Sequence, residues 1–199
     1  MIGIVDYGAG NLHSVHKAFA YLGKDSKILE RPSEIKAIER LVLPGVGSFG
    51  HAMTEIKKRN WYSPLLGWIS ADRPFLGICL GLQLLFESSD ESPGLLGFSA
   101  IAGSCRKFEE KKVPQIGWND IRITKGSGLF EGIESGAYFY FVHSYHVVPE
   151  NKDVIWAETA YSCDYPSIVG RGRIVGVQFH PEKSGEKGLQ LLKNWVERC

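Results

Sequence analysis

The sequence has only four cysteines, and no two of them form a CxxC pair. Such wide spacing argues against a dense disulfide framework and favours a reducing cytoplasm. The chain also lacks an excess of either charge, since 23 Lys and Arg face 22 Asp and Glu. Nothing in this balance indicates long-range attraction to nucleic acid or to an anionic membrane.

Long apolar runs are missing as well. No segment approaches the roughly 20 apolar residues of a membrane span, and no basic region followed by an apolar stretch opens the chain. We therefore expect neither a membrane segment nor a targeting signal. With 199 residues, 44% of them hydrophobic, the chain is long enough for one α/β domain over residues 1–199 with a sizeable core.

Apolar patterns of two kinds alternate along the first half of the chain. They predict strands at 2–6, 26–29, 41–43 and 75–78, and helices at 13–22, 33–40, 50–59 and 80–88. Such alternation predicts a doubly wound, mainly parallel sheet with helices on both faces. The second half predicts strands at 121–123, 137–148, 154–161 and 168–179, which would extend the sheet in mixed fashion, and a closing helix at 184–198.

Cys79 lies where an apolar strand pattern passes directly into an apolar helical pattern. A turn this abrupt exposes its central residue in a strained conformation at a helix N-terminus, which favours thiolate over thiol. Gly77 and Gly81 lack the β-carbons that would collide in such a turn. Cys79 is therefore the candidate nucleophile, and the alternative is a buried cysteine that packs as a small hydrophobe.

His180 and Glu182 flank Pro181, which ends an alternating strand pattern. A neutral imidazole at His180 would take the thiol proton from Cys79 and later protonate a leaving amine. Glu182 would hold the ring in one tautomer. A lone histidine at a strand end is more often a solvated polar residue, but the nearby carboxylate weakens that interpretation.

The segment Pro-Gly-Val-Gly at 44–47 carries an apolar run into a glycine-rich loop. Backbone amides of Val46 or Gly47, together with that of Leu80, are candidate donors to an oxyanion. One such donor contributes about 3 kcal/mol to transition-state stabilisation. Taken alone, a loop of this composition is more often a plain turn.

Two other patterns could suggest a cofactor or a metal site, but neither predicts one. The glycines at 8 and 10 would need a third at position 13 for a dinucleotide loop, and His13 stands there. His143 and His146 are offset by three on a predicted strand, which places them on opposite faces.

The three motifs around Gly45, Cys79 and His180, in this order along the chain, resemble the triad-type (class I) glutamine amidotransferase family nearly end to end. Segments 5–12, 114–119 and 138–145 and the pair at 183–184 are similar to the branch that serves imidazole glycerol phosphate synthesis in histidine biosynthesis. The resemblance implies a glutaminase that releases ammonia from L-glutamine. It also implies the residues that hold this substrate: Gln83, Glu91, and the backbone near Ser144 and Tyr145.

The same resemblance implies a partner, because no synthase domain accompanies these motifs. That partner would be a cyclase subunit with a (β/α)8 barrel, which uses the ammonia to make imidazole glycerol phosphate and an aminoimidazole carboxamide ribonucleotide. A heterodimer is expected. The candidate contact residues are Asn11, Trp118, Asn119, Tyr140 and Lys183, the last through a salt bridge to an acidic residue of the barrel.

Three alternatives stay open. A paralogue could keep every motif and supply ammonia to another synthase, for instance one that modifies a cell-surface sugar. A catalytically silent glutamine-binding scaffold is a second possibility, although intact Cys79, His180 and Glu182 argue against it. A cysteine peptidase on a related sheet is the third, and it would leave Gln83 and segment 114–119 without a purpose.

Overall fold

The computed structural model describes residues 1–109 and 112–199. Its helices are α1 (Leu12–Tyr21), α2 (Phe49–Lys58), α3 (Tyr62–Ser70), α4 (Leu80–Gln83) and α5 (Gly185–Arg198). Its strands are β1 (Ile2–Val5), β2 (Ser26–Leu29), β3 (Arg40–Gly45), β4 (Phe75–Cys79), β5 (Ser88–Ser89), β6 (Gly103–Lys107), β7 (Gln115–Asp120), β8 (Arg122–Ile123), β9 (Tyr138–His143), β10 (Tyr145–Pro149), β11 (Ile155–Ala160), β12 (Asp164–Arg171) and β13 (Ile174–Val177).

Eight strands form the central sheet in the order β2-β1-β3-β4-β13-β12-β11-β8. The first five run parallel to their neighbours, and β12, β11 and β8 continue the sheet in antiparallel fashion. The predicted mainly parallel, mixed sheet is therefore confirmed. None of the helices in the described ranges reaches the length and apolarity that a bilayer crossing demands.

Each face of this sheet carries its own apolar core. On one face, Leu41 and Leu43 of β3 pack with residues of α2 and α3, whereas Val42 belongs to the other face, where α1 and α5 lie. Successive strand side chains alternate between faces, so one strand serves both cores. The large buried rings of Trp68 on α3 and Trp195 on α5 belong to opposite cores, as the predicted doubly wound arrangement requires.

The predicted helix at 80–88 is wrong beyond its first turn, because α4 ends at Gln83. The carbonyls of Leu84 and Leu85 accept hydrogen bonds from the amides of Phe98 and Ala100 (both 2.8 Å) instead of continuing the helical ladder. A loop distant in sequence thus ends the helix. Because α4 is a single turn, the stabilisation of a thiolate expected from the helix dipole at Cys79 can come only from the free backbone amides of that turn.

Two other predictions of local structure need correction, and one helix has no counterpart among the predictions. The predicted helix at 33–40 is a 3₁₀ turn over Pro32–Ala37, which Glu34 closes by accepting from the amide of Arg31 (3.0 Å). The strand predicted at 168–179 divides at Gly172 into β12 and β13. Helix α3 was not predicted, although Leu65, Trp68 and Ile69 are buried at helical spacing.

The strand predicted at 137–148 divides at Ser144, and neither half joins the central sheet. Strand β9 pairs with β7, and β10 pairs with β6 in a separate sheet that includes β5. The chain changes pairing partner at Ser144, and this break brings its backbone to the crevice described below. The prediction that this segment extends the central sheet is therefore wrong.

Candidate active site

Cys79 occupies a strained turn between β4 and α4, with φ = 55° and ψ = −107°. A β-carbon at Gly77 would lie 2.5 Å from the carbonyl oxygen of Gly81, and one at Gly81 would lie 1.9 Å from that of Leu43. Real β-carbons do not approach backbone oxygen so closely, so both positions require glycine. The steric reason predicted for this spacing is confirmed.

The carboxyl ends of β3, β4 and β13 bring the predicted residues to one crevice, because these strands are adjacent and parallel. Gly45 at the end of β3 lies opposite Cys79 at the end of β4. The crevice encloses a cleft of about 280 Å³. Its walls include every predicted catalytic, oxyanion and substrate residue except Glu182: Val46, Gly47, Cys79, Leu80, Gln83, Glu91, Ser144, Tyr145 and His180, together with Pro114, Val142 and His143.

His180 and Glu182 form a buried pair behind the cleft. The Nδ1 atom of His180 lies 2.9 Å from Oε1 of Glu182, and both side chains are almost fully buried. The backbone of His180 is held from two sides, since its amide donates to the carbonyl of Tyr140 (2.9 Å) and its carbonyl accepts from the hydroxyl of Ser184 (2.6 Å). Its Nε2 atom has no hydrogen-bond partner among the described residues.

Charge around His180 favours the imidazolium. Burial alone would lower its pKa, but interactions with Cys79 and Glu182 outweigh burial and raise the pKa to about 9. At neutral pH the folded protein therefore favours a protonated ring, whereas the sequence led us to expect a neutral one.

The loop after β3 lies at the entrance of the cleft. Val46 is exposed, and Gly47 has φ = 91° with open space around the position that a β-carbon would take, so the loop backbone is accessible there. The loop is anchored where α2 begins, because the carboxylate of Glu91 accepts from the amide of Phe49 (2.6 Å). A residue predicted to hold substrate thus also fixes the end of the predicted oxyanion loop.

Gln83 is nearly buried, and its amide nitrogen donates to the carbonyl of Tyr145 (3.0 Å) and to Oε1 of Gln178 (3.2 Å). Gln178 in turn places its Nε2 atom 3.7 Å from the sulfur of Cys79. Gln178 was not among the residues predicted from the sequence. The available signal was a polar residue inside the apolar run at 174–179, two positions before His180.

His143 is buried beside the cleft and belongs to a polar network. Its Nδ1 atom lies 2.9 Å from the carbonyl of Tyr145, and its Nε2 atom lies 3.2 Å from the hydroxyl of Tyr165. Burial is the main reason that its pKa is lowered to about 4. His143 and His146 lie on separate strands, so the premise of one continuous strand was wrong. The described residues contain no group of three or more His, Cys, Asp or Glu that could hold a metal ion.

The predicted contact residues do not all share one face. The ring of Trp118 is exposed and lies edge-on to Tyr140 across the β7–β9 pair, with the ring centroids 6.2 Å apart. The Nζ atom of Lys183 lies 6.0 Å from the centre of the Tyr140 ring. Asn119 is the neighbour of Trp118 on β7 and donates to the carbonyl of Ala160 (2.9 Å), on the opposite face of the strand pair.

Asn11 stands before the first turn of α1, and its side chain does not cap that helix. Helix α1 packs beside the 3₁₀ turn Pro181–Lys183. We name the surface formed by Ile116, Trp118, Tyr138, Tyr140 and Lys183 the β7–β9 face. Ile116, Trp118 and Tyr138 are each more than half exposed, which is unusual for three large apolar side chains on one small surface.

Comparison with known proteins agrees with this geometry. The family described as glutamine amidotransferase class-I matches residues 3–199. A protein of Desulfitobacterium hafniense named imidazole glycerol phosphate synthase subunit HisH is 45% identical, over 98% of this chain and 95% of its own length. A protein of the same name from Methanocaldococcus jannaschii is 46% identical over 99% of both chains. A solved structure described as a glutamine amidotransferase matches with a TM-score of 0.79 at 16% identity, covering 98% of this chain and 97% of that one.

Proposed function

This chain belongs to the class-I glutamine amidotransferases, and we propose that it is the glutaminase subunit of an imidazole glycerol phosphate synthase. The observation that carries the proposal is the convergence of the Cys79 turn and the His180–Glu182 pair on one cleft. Relatives 45% and 46% identical over nearly their whole length bear the name of that subunit. Their names support the choice of synthase.

The geometry supports a thioester mechanism. The thiolate of Cys79 attacks the side-chain amide carbon of glutamine, and the oxyanion that forms is stabilised by amides of the loop at 46–47 and of Leu80. The C–N bond breaks as the imidazolium of His180 protonates the leaving nitrogen, which departs as ammonia. A water molecule then hydrolyses the thioester, returning the proton to His180 and releasing glutamate.

The substrate would lie along the opposite wall of the cleft. Glu91 would hold the ammonium group of glutamine, a role supported by its position in the wall of the cleft. Gln83 and the backbone at Ser144 and Tyr145 line the same cleft and would orient the carboxylate and the side chain.

The ammonia needs a second subunit, since it loses its nucleophilicity when water protonates it. We propose that the β7–β9 face binds a cyclase subunit with a (β/α)8 barrel in a heterodimer. Three exposed apolar side chains and the cation of Lys183 suit an interface with an apolar centre and an acidic contact. A single domain in the cytoplasm is consistent with this role.

Replacement of the nucleophile tests the proposal. In a complex with the cyclase subunit, Cys79→Ser should abolish glutamine-dependent synthesis, because a serine hydroxyl is far less ionised than a thiol. Synthesis from added ammonium salts should continue at the wild-type rate. The control is Cys199→Ser. The carbonyl of Cys199 accepts a hydrogen bond from Arg40 at the start of β3, whereas the crevice lies at the carboxyl end of that strand.

The alternatives give different results in the same experiment. If ammonium salts did not rescue the Cys79→Ser complex, this chain would not be the ammonia supplier of that synthase. A paralogue would release glutamate but would not associate with the cyclase subunit. A silent scaffold would release no glutamate even in the wild-type complex.

A further inference from the structure

We propose that Gln178 donates a hydrogen bond to the sulfur of Cys79 and stabilises its thiolate, as the last link of a fixed chain that begins at the carbonyl of Tyr145. This inference rests on the proposed function, because it assigns a further residue to the same nucleophile. The chain runs from the Tyr145 carbonyl to Gln83, from Gln83 to Gln178, and from Gln178 to the sulfur, with distances of 3.0, 3.2 and 3.7 Å.

The backbone fixes the direction of every hydrogen bond in this chain. A carbonyl oxygen only accepts, so the end of Gln83 that faces Tyr145 is its NH₂ group. The second proton of that NH₂ group points to Gln178, which must therefore present its oxygen. The NH₂ group of Gln178 is then left facing Cys79. Neither amide can turn over without placing two like groups against each other.

Strand pairing explains why Gln178 reaches the sulfur. Val177 of β13 pairs with Ile78 of β4, so Gln178 comes level with Cys79 at the ends of the two strands. The backbone amide of Gln178 also donates to the carbonyl of Ser167 (2.9 Å), and this hydrogen bond fixes the backbone of Gln178. The Gln178 side chain is fully buried and cannot exchange its partner for bulk water. A donor held in this way needs no reorganisation when charge forms on the sulfur.

Two neighbours of the sulfur favour opposite protonation states. The carbonyl of Val142 lies 3.8 Å from the sulfur and can only accept, so it favours the thiol. The NH₂ group of Gln178 can only donate towards the sulfur, so it favours the thiolate. Hydrogen bonds to an ionised acceptor are roughly twice as strong as those between neutral groups. Removal of Gln178 should therefore shift the balance towards the unreactive thiol.

The direct test measures the reactivity of Cys79 in the free chain. The rate of its alkylation by iodoacetamide is followed across pH, with each cysteine resolved by peptide mass spectrometry. In Gln178→Met, which keeps the length of the side chain and removes the donor, the pH of half-maximal alkylation should rise by about one unit, a tenfold loss of thiolate below that pH. Gln178→Glu should raise it further, because a carboxylate there repels the thiolate.

Gln115→Met is the matched control. Gln115 is equally a buried glutamine, and its Oε1 accepts from the hydroxyl of Tyr165 (3.0 Å) rather than contacting Cys79. Its loss should leave the alkylation profile of Cys79 unchanged. A wild-type profile in Gln178→Met or Gln178→Glu would overturn the inference. An equal shift in the Gln115→Met control would also overturn it, because the effect would then come from a general loss of packing and not from the donor at Gln178.

Steady-state kinetics in the complete complex supply the second readout. Gln178→Met should lower kcat for glutamine by about tenfold or more while KM changes by less than about twofold, because the lost interaction forms with the reacting sulfur. Synthesis from ammonium salts should be unaffected. An unchanged kcat would overturn the inference. The failure of the glutaminase assignment would be distinct, since then the wild-type complex itself would release no glutamate.

Discussion

The carbonyl oxygen of Tyr140 accepts a hydrogen bond from the backbone amide of His180, at 2.9 Å. The backbone amide of Tyr140 donates to the hydroxyl of Ser184 (3.0 Å), and that hydroxyl donates in turn to the carbonyl of His180 (2.6 Å). The ring of Tyr140 lies on the β7–β9 face beside Lys183. One residue thus joins the proposed partner surface to the proposed catalytic base.

Charge reversal at Lys183 tests this connection. We predict that Lys183→Glu weakens activation by the cyclase subunit and its nucleotide ligand more than it weakens assembly, since an exposed ion pair contributes at most about 1 kcal/mol to binding. Activation requires that the ligand-bound partner prefers the active arrangement of the site. Glutamate release is measured with the free chain, the complex and the liganded complex, beside titrations of complex formation.

Lys36→Glu is the control for Lys183→Glu. Lys36 is exposed in the 3₁₀ turn between β2 and β3 and does not line the cleft, and its reversal changes the net charge equally. It should leave activation unchanged. Wild-type activation in the Lys183→Glu complex, or a free chain as active as the liganded complex, would contradict the prediction.

The parts of the site that follow from local sterics could be predicted from the sequence. The turn at Cys79 needs glycine at 77 and 81 because backbone oxygens occupy the space of their β-carbons, and these glycines are visible in the sequence. The pairing of His180 with Glu182 depends on residues two apart. The parallel order of the first strands follows from their alternation with helices.

Features that depend on distant partners could not be predicted in the same way. Helix α4 ends early because the loop at 97–101 uses the carbonyls that would continue it. Gln178 acquires its position from Gln83 and Tyr145, which are far from it in sequence. Strands β7 and β9 pair with each other and not with an edge strand of the central sheet. Hydrophobic periodicity carries no information about such choices of partner.

Replacement of the orienting carboxylate should affect the base. Glu182→Gln removes the charge that helps to raise the pKa of His180, so that pKa should fall and the imidazolium should be less available to protonate the leaving nitrogen. We expect kcat for glutamine to drop by about 10² to 10⁴-fold. Glutamate release in the liganded complex measures the loss, and NMR of the His180 ring measures the pKa. Glu186→Gln, an exposed change in the first turn of α5, should alter neither quantity.

Two roles of Glu91 can be separated by two substitutions. Glu91→Gln keeps an oxygen for the amide of Phe49 but removes the charge proposed to hold the substrate ammonium. KM for glutamine should rise by about 10- to 100-fold, since hydrogen bonds to charged groups contribute about 1.5–3 kcal/mol. Stability should stay within about 0.5 kcal/mol of wild type, the range of changes that remove no structural contact.

Glu91→Ala should add a loss of about 1 kcal/mol in the free energy of unfolding, as is usual when a helix N-terminus loses an acceptor. Ser92→Ala is the matched control, because its hydroxyl accepts from the amide of Gly50 (2.9 Å) at the same helix end. It should lower stability without changing KM. An unchanged KM in Glu91→Gln would remove Glu91 from the substrate site.

The stability of the protein should depend on His143 in acid. Burial is the main reason that its pKa falls to about 4, with a smaller contribution from charged His146 and His180, against a hydrogen bond to the carbonyl of Tyr145 that raises it. Between pH 6.5 and 4 the unfolded chain binds a proton that the folded chain does not. The contribution of His143 is therefore fully present above pH 6.5 and is lost as pH falls towards 4, by on the order of 3 kcal/mol.

Urea unfolding of His143→Gln between pH 4 and 7 measures this contribution. The variant should be less stable than wild type at pH 7, and the gap should narrow as pH falls, because only the wild type loses the contribution of the histidine. His180 acts with the opposite sign and in another range: its raised pKa stabilises the fold below pH 6.5, and that stability is lost as pH rises towards about 9. The contributions of His143 and His180 to stability therefore appear in different pH ranges and can be measured separately. His13→Gln changes an exposed histidine and should give a curve parallel to wild type; a parallel curve for His143→Gln as well would show that the buried ring does not govern acid stability.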